Sequence, residues 1–358
     1  MVVDPSTSFF TKPKNTEMKS DTIRIGVIGA GRWGPNVIGS LIRIPQVEVT
    51  RVADFDEHAL TSLSTRFPRI STSTNTEEVL TANDIDAVAV CTPVDTHLHF
   101  VEKALQAGKH VFVEKPFGRD SKKCRELADL AEKNGLNLMV GHVFLFNSSI
   151  LALKKIITEG ELGKLFHLEA HRTNLGPVRK DVNAVWDLTS HDLSIFDFLL
   201  DSNPEAVSCV GSPHLDPKIE DTTFTTFQYP EGILAHAHAS WLNPRKVRQI
   251  TVVGSEKMAL WDDLNLEHPL TIYDSSIGLG QSYYSDSFAS HRLSYHRGDV
   301  TLPTVPTNEP LYEELYHFVK AIRDESELRS DGNFGARITH TLETADKSLA
   351  SKGAFISI

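Results

Sequence analysis

The sequence predicts an α/β half built on a parallel sheet, followed by an α+β half dominated by an antiparallel sheet. Two patterns predict this. From Ile23 to Val140, short runs rich in Val, Ile and Ala alternate with segments of helical spacing. That alternation is the signature of βαβ units, whose right-handed crossovers cover both faces of a buried sheet. Beyond Gly141 alternating strand-like runs take over, and Pro230-Glu231-Gly232 marks a tight turn between two of them. A length of 358 residues suits about two such domains.

The elements follow in order. Ile23 to Gly29 reads as a strand, and apolar Val37, Leu41 and Ile42 give the next segment helical spacing. Val47 to Ala53 is a second strand and Glu57 to Phe67 a second helix. The pattern repeats as a strand at Ala87–Cys91, a helix near Leu98 to Ala107, a strand at His110–Val113, a helix near Ser121 to Asn134, and a strand at Asn137–Val140. In the second half a helix is expected near Ser149 to Thr158, a strand at Phe166–His171 and an apolar helix at Leu188–Leu200. Strands follow at Ala206–Val210, Thr222–Tyr229, Ile233–Trp241 and Val247–Val253. Residues 274–307 carry no clear period. Leu311–Asp324 and Gly335–Ser351 read as helices, the last of them able to pack back on the first domain. The expected division is a flexible polar leader over 1–20, one domain over 21–143 and a second over 144–358.

Composition narrows the function. A net charge of −11 argues against a nucleic-acid partner, which requires a basic face. Cys91, Cys124 and Cys209 are too few and too scattered for a disulfide framework or a zinc site, so a reducing cytoplasm is the expected compartment. No apolar run approaches the length of a membrane span. His236 and His238 share a strand face, but no carboxylate or cysteine pattern accompanies them, and no metal site is expected.

Gly29-Ala30-Gly31-Arg32-Trp33-Gly34 follows the first strand and opens the first helix. In that context Gly29 permits a tight turn, Gly31 lets backbone N–H groups approach a pyrophosphate, and Gly34 lets helix and strand pack closely. The helix N-terminus offers unpaired N–H groups to the anion. Asp54 ends the second strand 23 residues after Gly31, where a ribose-binding carboxylate is expected. An acid there disfavours a 2′-phosphate, so NAD is the expected cofactor; Arg32, beside the turn, keeps NADP open. Thr92, Pro93 and His97 follow the strand ending at Cys91 and are expected on the cofactor side of the cleft.

Glu114-Lys115-Pro116 follows the strand His110–Val113. Together with the glycine turn, Cys91-Thr92-Pro93, His97, the Ala107-Gly108-Lys109-His110 lead-in and Asp187-x-x-x-His191, it resembles the Gfo/Idh/MocA oxidoreductases over roughly residues 22 to 350. The resemblance implies a Rossmann domain and a second domain on an open, mainly antiparallel sheet. It also implies homodimers or homotetramers formed through that sheet, no metal, and a sugar-like substrate. The stretch from Arg172 to Leu188 looks like that of a subgroup associated with nucleotide sugars. By the same resemblance Lys115 and His191 handle the proton, Asp187 assists, and Glu114 and Lys115 both lie at the cofactor. Two segments depart from the family pattern: Gly141-His142-Val143-Phe144-Leu145-Phe146-Asn147 where relatives carry an Arg-rich run, and Asn183-Ala184-Val185-Trp186 where they carry small residues.

Oxidising an alcohol with a nicotinamide requires a base for the hydroxyl proton, and a protein that orients the substrate and excludes water. Asp187 and His191 are four residues apart, so on a helix they share a face and the acid can orient the imidazole. A lysine in a partly dry pocket either donates to the substrate oxygen or acts as the base; the sequence leaves Lys115 and His191 both open for that role. His142, Arg172, Asn174, Arg179 and Asn183 are the substrate-contact candidates. The expected activity is an NAD(P)-dependent hydride transfer at a sugar or cyclitol hydroxyl carbon. A redox-neutral NAD-dependent glycosidase and a noncatalytic sensor are the alternatives. Lys115 together with His191 speaks against the sensor.

Overall fold

A computed structural model describes residues 22–279 and 293–358. The leader expected over 1–20 and part of the 274–307 segment lie outside the described residues. The first half runs β1 (Ile23–Ile28), α1 (Gly34–Leu41), β2 (Val47–Ala53), α2 (Glu57–Arg66), β3 (Ser71–Ser73), α3 (Glu77–Leu80), β4 (Ala87–Val90), α4 (Val94–Gln106), β5 (His110–Glu114), α5 (Ser121–Lys133) and β6 (Leu138–Gly141). Its six strands lie in the order β3-β2-β1-β4-β5-β6, all parallel. All four residues of β4 are buried, as a strand covered on both faces requires. β3 is a short polar edge strand with no apolar alternation to betray it. α4 begins earlier than its apolar spacing suggests, directly after Pro93.

The chain leaves β1 toward β3 and returns to β4, so the winding direction reverses between β1 and β4. Ligands of such sheets bind at the carboxyl ends of the strands flanking that reversal. The glycine turn after β1 and Thr92 after β4 both lie there.

The second half begins with a 3-10 turn at Val143–Phe146, then α6 (Ser148–Thr158) and β7 (Leu165–Leu175). A π-helical turn at Val185–Thr189 runs into α7 (Ser190–Leu200). There follow β8 (Ala206–Ser212), β9 (Thr222–Gln228), β10 (Leu234–Ser240), β11 (Leu242–Gly254), β12 (Met258–Asp262), β13 (Leu270–Leu279), β14 (Leu293–Thr301), α8 (Pro310–Ile322), α9 (Gly332–Ala350) and β15 (Ile356–Ser357). These strands form an open sheet in the order β14-β13-β12-β11-β7-β10-β9-β8-β15. Only the β7–β10 pair is parallel; its other pairings are antiparallel.

Period-two alternation divides the faces of this sheet. Leu168, Ala170, Ala235, Ala237, Ile250 and Val252 point inward and are fully buried. His171, Phe224, His236 and His238 point outward, where Phe224 stacks on His238 at 4.4 Å. α9 joins the halves by packing on α5 and β6 as well as on β8. A Cβ at Gly335 would lie 2.5 Å from Val140 Cγ2, so only glycine lets this helix approach β6 so closely. Ser330 and Val140 close the seam with reciprocal hydrogen bonds, Val140 N–H to Ser330 O at 2.8 Å and Ser330 Oγ–H to Val140 O at 2.7 Å. Among the described residues no helix is long and apolar enough to cross a membrane.

Candidate active site

The nucleotide end is made by backbone. Gly29 has φ +106°, and a Cβ there would lie 2.6 Å from the Cys91 carbonyl. A Cβ at Gly34 would lie 2.1 Å from Gly29 O. Both glycines are therefore demanded by sterics. A Cβ at Gly31 meets nothing within 4 Å, which leaves open space where a pyrophosphate would approach the backbone. α1 has no side-chain cap; Pro35 brings no N–H and Asn36 N–H already donates to Trp33 O at 2.9 Å, so the N–H groups of the turn itself and of Gly34 are the ones left for that anion. Asp54 ties the turn to β2: its Oδ2 accepts from Ala30 N–H at 2.6 Å and its Oδ1 from Asp56 N–H at 2.9 Å. Arg32 and Trp33 stay exposed at the mouth of the turn. These features fit a dinucleotide.

The reacting end is made by side chains. β5 delivers Glu114 and Lys115 to the carboxyl edge of the sheet. Lys115 Nζ donates to Asp187 O at 2.7 Å and stands 3.4 Å from Asp187 Oδ1. The same carboxylate accepts from Arg179 at 3.3 Å and from the buried Trp241 indole N–H at 3.1 Å. Burial opposes the charge on Asp187, but Lys115, Arg179 and Trp241 together hold its carboxyl below the ordinary range. Lys115 is lowered chiefly by burial, against the pull of Asp187. Burial likewise raises Glu114, although the Trp33 indole and Lys115 favour its charged form.

His191 sits in the first turn of α7. Its Nδ1 is buried without a protein partner, and its ring stands edge-on to Phe144 at 5.0 Å. The expected Asp187–His191 contact is absent, because Asp187 is already held by two cations and an indole. Charge-assisted bonds outcompete a bond to a neutral imidazole. The expected continuous helix from Leu188 is likewise preceded by the π turn that presents Asp187, a distortion that recurs at functional sites. Burial first, then Lys115, Arg172 and Arg248, drive the His191 pKa well below its usual value, so the ring is neutral.

The other candidates divide. His97 is only 2% exposed, and its ring nitrogens lie 2.9 Å from Pro116 O and 2.7 Å from Thr92 O. It braces the Thr92-Pro93 turn against the Lys115-Pro116 turn instead of facing the nucleotide; a neutral ring donates to one of those carbonyls. His142 is buried, with neither ring nitrogen partnered, and its ring stands edge-on to Phe334 at 5.4 Å. Asn183 bonds Asp346, which also takes the Trp186 indole N–H at 2.6 Å. Both residues tie the loop to α9 through Asp346. Asn174 turns back onto Gly176 O. Arg172 is buried and paired with Asp192 at 2.7 Å, its guanidinium 4.5 Å over the Phe144 ring. Arg179 binds Asp181 as well as Asp187. Sequence reasoning missed Phe144, Trp241 and Arg248. Their roles depend on strand pairing between distant segments, which no local motif announces.

A parallel sheet with a glycine turn at its reversal point, a following acid and a lysine two strands away defines a dinucleotide-binding oxidoreductase. Comparison places it more closely. Residues 23–142 match the oxidoreductase family with an NAD-binding Rossmann fold, and residues 150–260 match the GFO/IDH/MocA C-terminal domain. An uncharacterized oxidoreductase of Escherichia coli is 34% identical over 335 residues, covering 87% of this chain and 90% of its own length. An inositol 2-dehydrogenase of Rhizobium meliloti is 26% identical, covering 92% and 98%. A UDP-N-acetylglucosamine 3-dehydrogenase of Acidithiobacillus ferrooxidans is 27% identical, covering 88% and 94%. Its solved structure superposes with a TM-score of 0.77 over 92% of this chain and 99% of that one, at 22% identity. The chain belongs to the Gfo/Idh/MocA family of NAD-binding oxidoreductases.

Proposed function

We propose that the chain is a dehydrogenase that oxidises a hydroxyl carbon of a sugar-like or cyclitol-like polyol, or reduces the matching ketone, with NAD. The observation carrying this reading is the Lys115–Asp187 contact at the end of β5, with neutral His191 beside it. The relatives named as inositol and UDP-N-acetylglucosamine dehydrogenases support the substrate class.

Residues of the glycine turn and Asp54 would hold the dinucleotide, which supplies the hydride acceptor. Lys115 takes the hydroxyl proton. Burial destabilises its ammonium enough to make the neutral amine accessible, while Asp187 fixes its position and balances the charge once it is protonated. His191 is the poorer base, because an imidazolium there would stand among Lys115, Arg172 and Arg248. A neutral His191 instead holds the substrate oxygen by a hydrogen bond. Two or four copies associate through the outer face of the second sheet, where Val210, Phe224 and Leu234 are exposed. Sedimentation of a Phe224→Glu variant tests that association. The function is tested by following NADH formation over neutral sugars, inositols and nucleotide sugars, with the reverse reaction followed on ketones. Substrate-dependent NADH supports the proposal; tight NAD binding with no turnover in either direction overturns it.

A further inference from the structure

Against the 3-10 turn at Val143–Phe146 lies a cavity of about 210 Å³, lined in part by Phe146, Glu313, Tyr316, His317, Lys320 and Arg329. The turn has two sides. Phe144 stands edge-on to His191 at 5.0 Å, whereas Phe146 lies under the Arg329 guanidinium at 4.6 Å. Of these lining residues all but Phe146 are partly exposed, so the cavity reaches solvent.

One end of this cavity is cationic. Arg329 Nη1 donates to Leu145 O at 2.7 Å, which engages one N–H of the fork. Burial alone lowers the Arg329 pKa, and no carboxylate raises it back. The guanidinium is met by the faces of Phe146 and Phe198, at 4.6 and 5.7 Å. Lys320 Nζ stands 4.3 Å over the Tyr316 ring and, among the described residues, pairs with no carboxylate. His317 feels both cations. Its Nε2 accepts from Arg329 N–H at 3.1 Å, and burial first, then Arg329 and Lys320, drive its pKa to about 4. Glu313 precedes Lys320 by two turns of α8, about 10 Å along the axis, so the acid marks the opposite end.

A cation withdrawn from water is ordinarily paired. Arg172, Arg179 and Arg248 each have an acid: Asp192, Asp181 and Asp263. Arg329 has none and keeps most of its fork for an anion. With Lys320 lining the same cavity, two positive charges suit a dianion.

We propose that this cavity binds the phosphoryl group of a small phosphomonoester through Arg329 and Lys320, at a site separate from the nucleotide and reacting ends. The occupant also braces the turn, because Arg329 holds Leu145 O.

The test uses the full chain saturated with NAD, so that phosphate cannot register at the glycine turn. Inorganic phosphate and glycerol 3-phosphate are titrated calorimetrically, with ionic strength held constant by chloride. One saturable site per chain is expected for each, with Tm rising as it fills. Arg329→Gln keeps a donor for Leu145 O and removes the charge; affinity for both anions should fall about tenfold or more. Lys320→Ala, at a partly exposed position, should weaken both a few-fold while leaving NAD affinity unchanged, and it decides the matter if Arg329→Gln does not fold. Absence of saturable binding overturns the proposal, and so does unchanged anion affinity in either folded variant.

Discussion

Gly29, Gly31 and Gly34 make the nucleotide end of the cleft from backbone within a single turn. The reacting end gathers Lys115, Phe144, Arg172, Arg179, Asp187, His191, Trp241 and Arg248 from segments far apart in sequence. The two ends consequently fail in different ways. A backbone site depends on the absence of side-chain atoms, so one added methyl decides its fate. A side-chain site depends on mutual pairing, so removing one member leaves its partners charged and unsatisfied.

The sharpest test of this contrast lies inside the glycine turn. Gly34→Ala places a methyl 2.1 Å from Gly29 O, a backbone atom that cannot yield cheaply. It should destabilise the fold by about 1–3 kcal/mol or more and abolish NAD binding. Gly31→Ala adds a methyl in open space. Its thermal stability should stay within about 0.5 kcal/mol of the unmodified chain while NAD affinity falls. Calorimetry for stability and titration for affinity separate the two. Equal effects at both positions would erase the distinction.

A smaller effect is expected at the reacting end from Asp187→Asn. The carboxylate favours the charged form of Lys115, so its removal lowers the Lys115 pKa further. The rising limb of kcat/KM should move to lower pH. An unmoved limb would assign the proton acceptor elsewhere. A separate effect, on stability against pH, is expected at His142, whose pKa is driven from 6.5 to about 3 by burial and by Lys115. A group depressed in the folded state contributes stability above its unfolded value and loses it as pH falls. The unmodified chain should therefore lose stability between about pH 6.5 and pH 3, and His142→Leu should lose less over that window, read from Tm against pH.

The nucleotide end was legible because its chemistry is local. Turn, helix start and following acid stand in one continuous stretch, and Gly29 and Gly34 each have a steric reason. The strands of the first sheet were legible for the same cause, apart from β3, whose Ser71–Ser73 carries no apolar pattern. In the second half β12 escaped because five residues give too little alternation, and β13 and β14 fall in a segment without a clear period. Asp187 and His191 were singled out by their spacing and by the family pattern, yet the structure gives Asp187 other partners. Nothing near Asp187 in sequence shows that Lys115, Arg179 and Trp241 converge on it. Arg172 read as a substrate contact for a similar reason: its neutralising acid, Asp192, lies on a different element.

The most direct test of the central claim measures NAD affinity and NADH formation together on Lys115→Ala. The nucleotide end does not need that side chain, so NAD affinity should remain within a few-fold of the unmodified chain. NADH formation should fall by about 10²–10⁴-fold, the usual contribution of a positioned acid–base group. Turnover that survives the substitution, with NAD still bound, would contradict the assignment of Lys115 to the reacting centre.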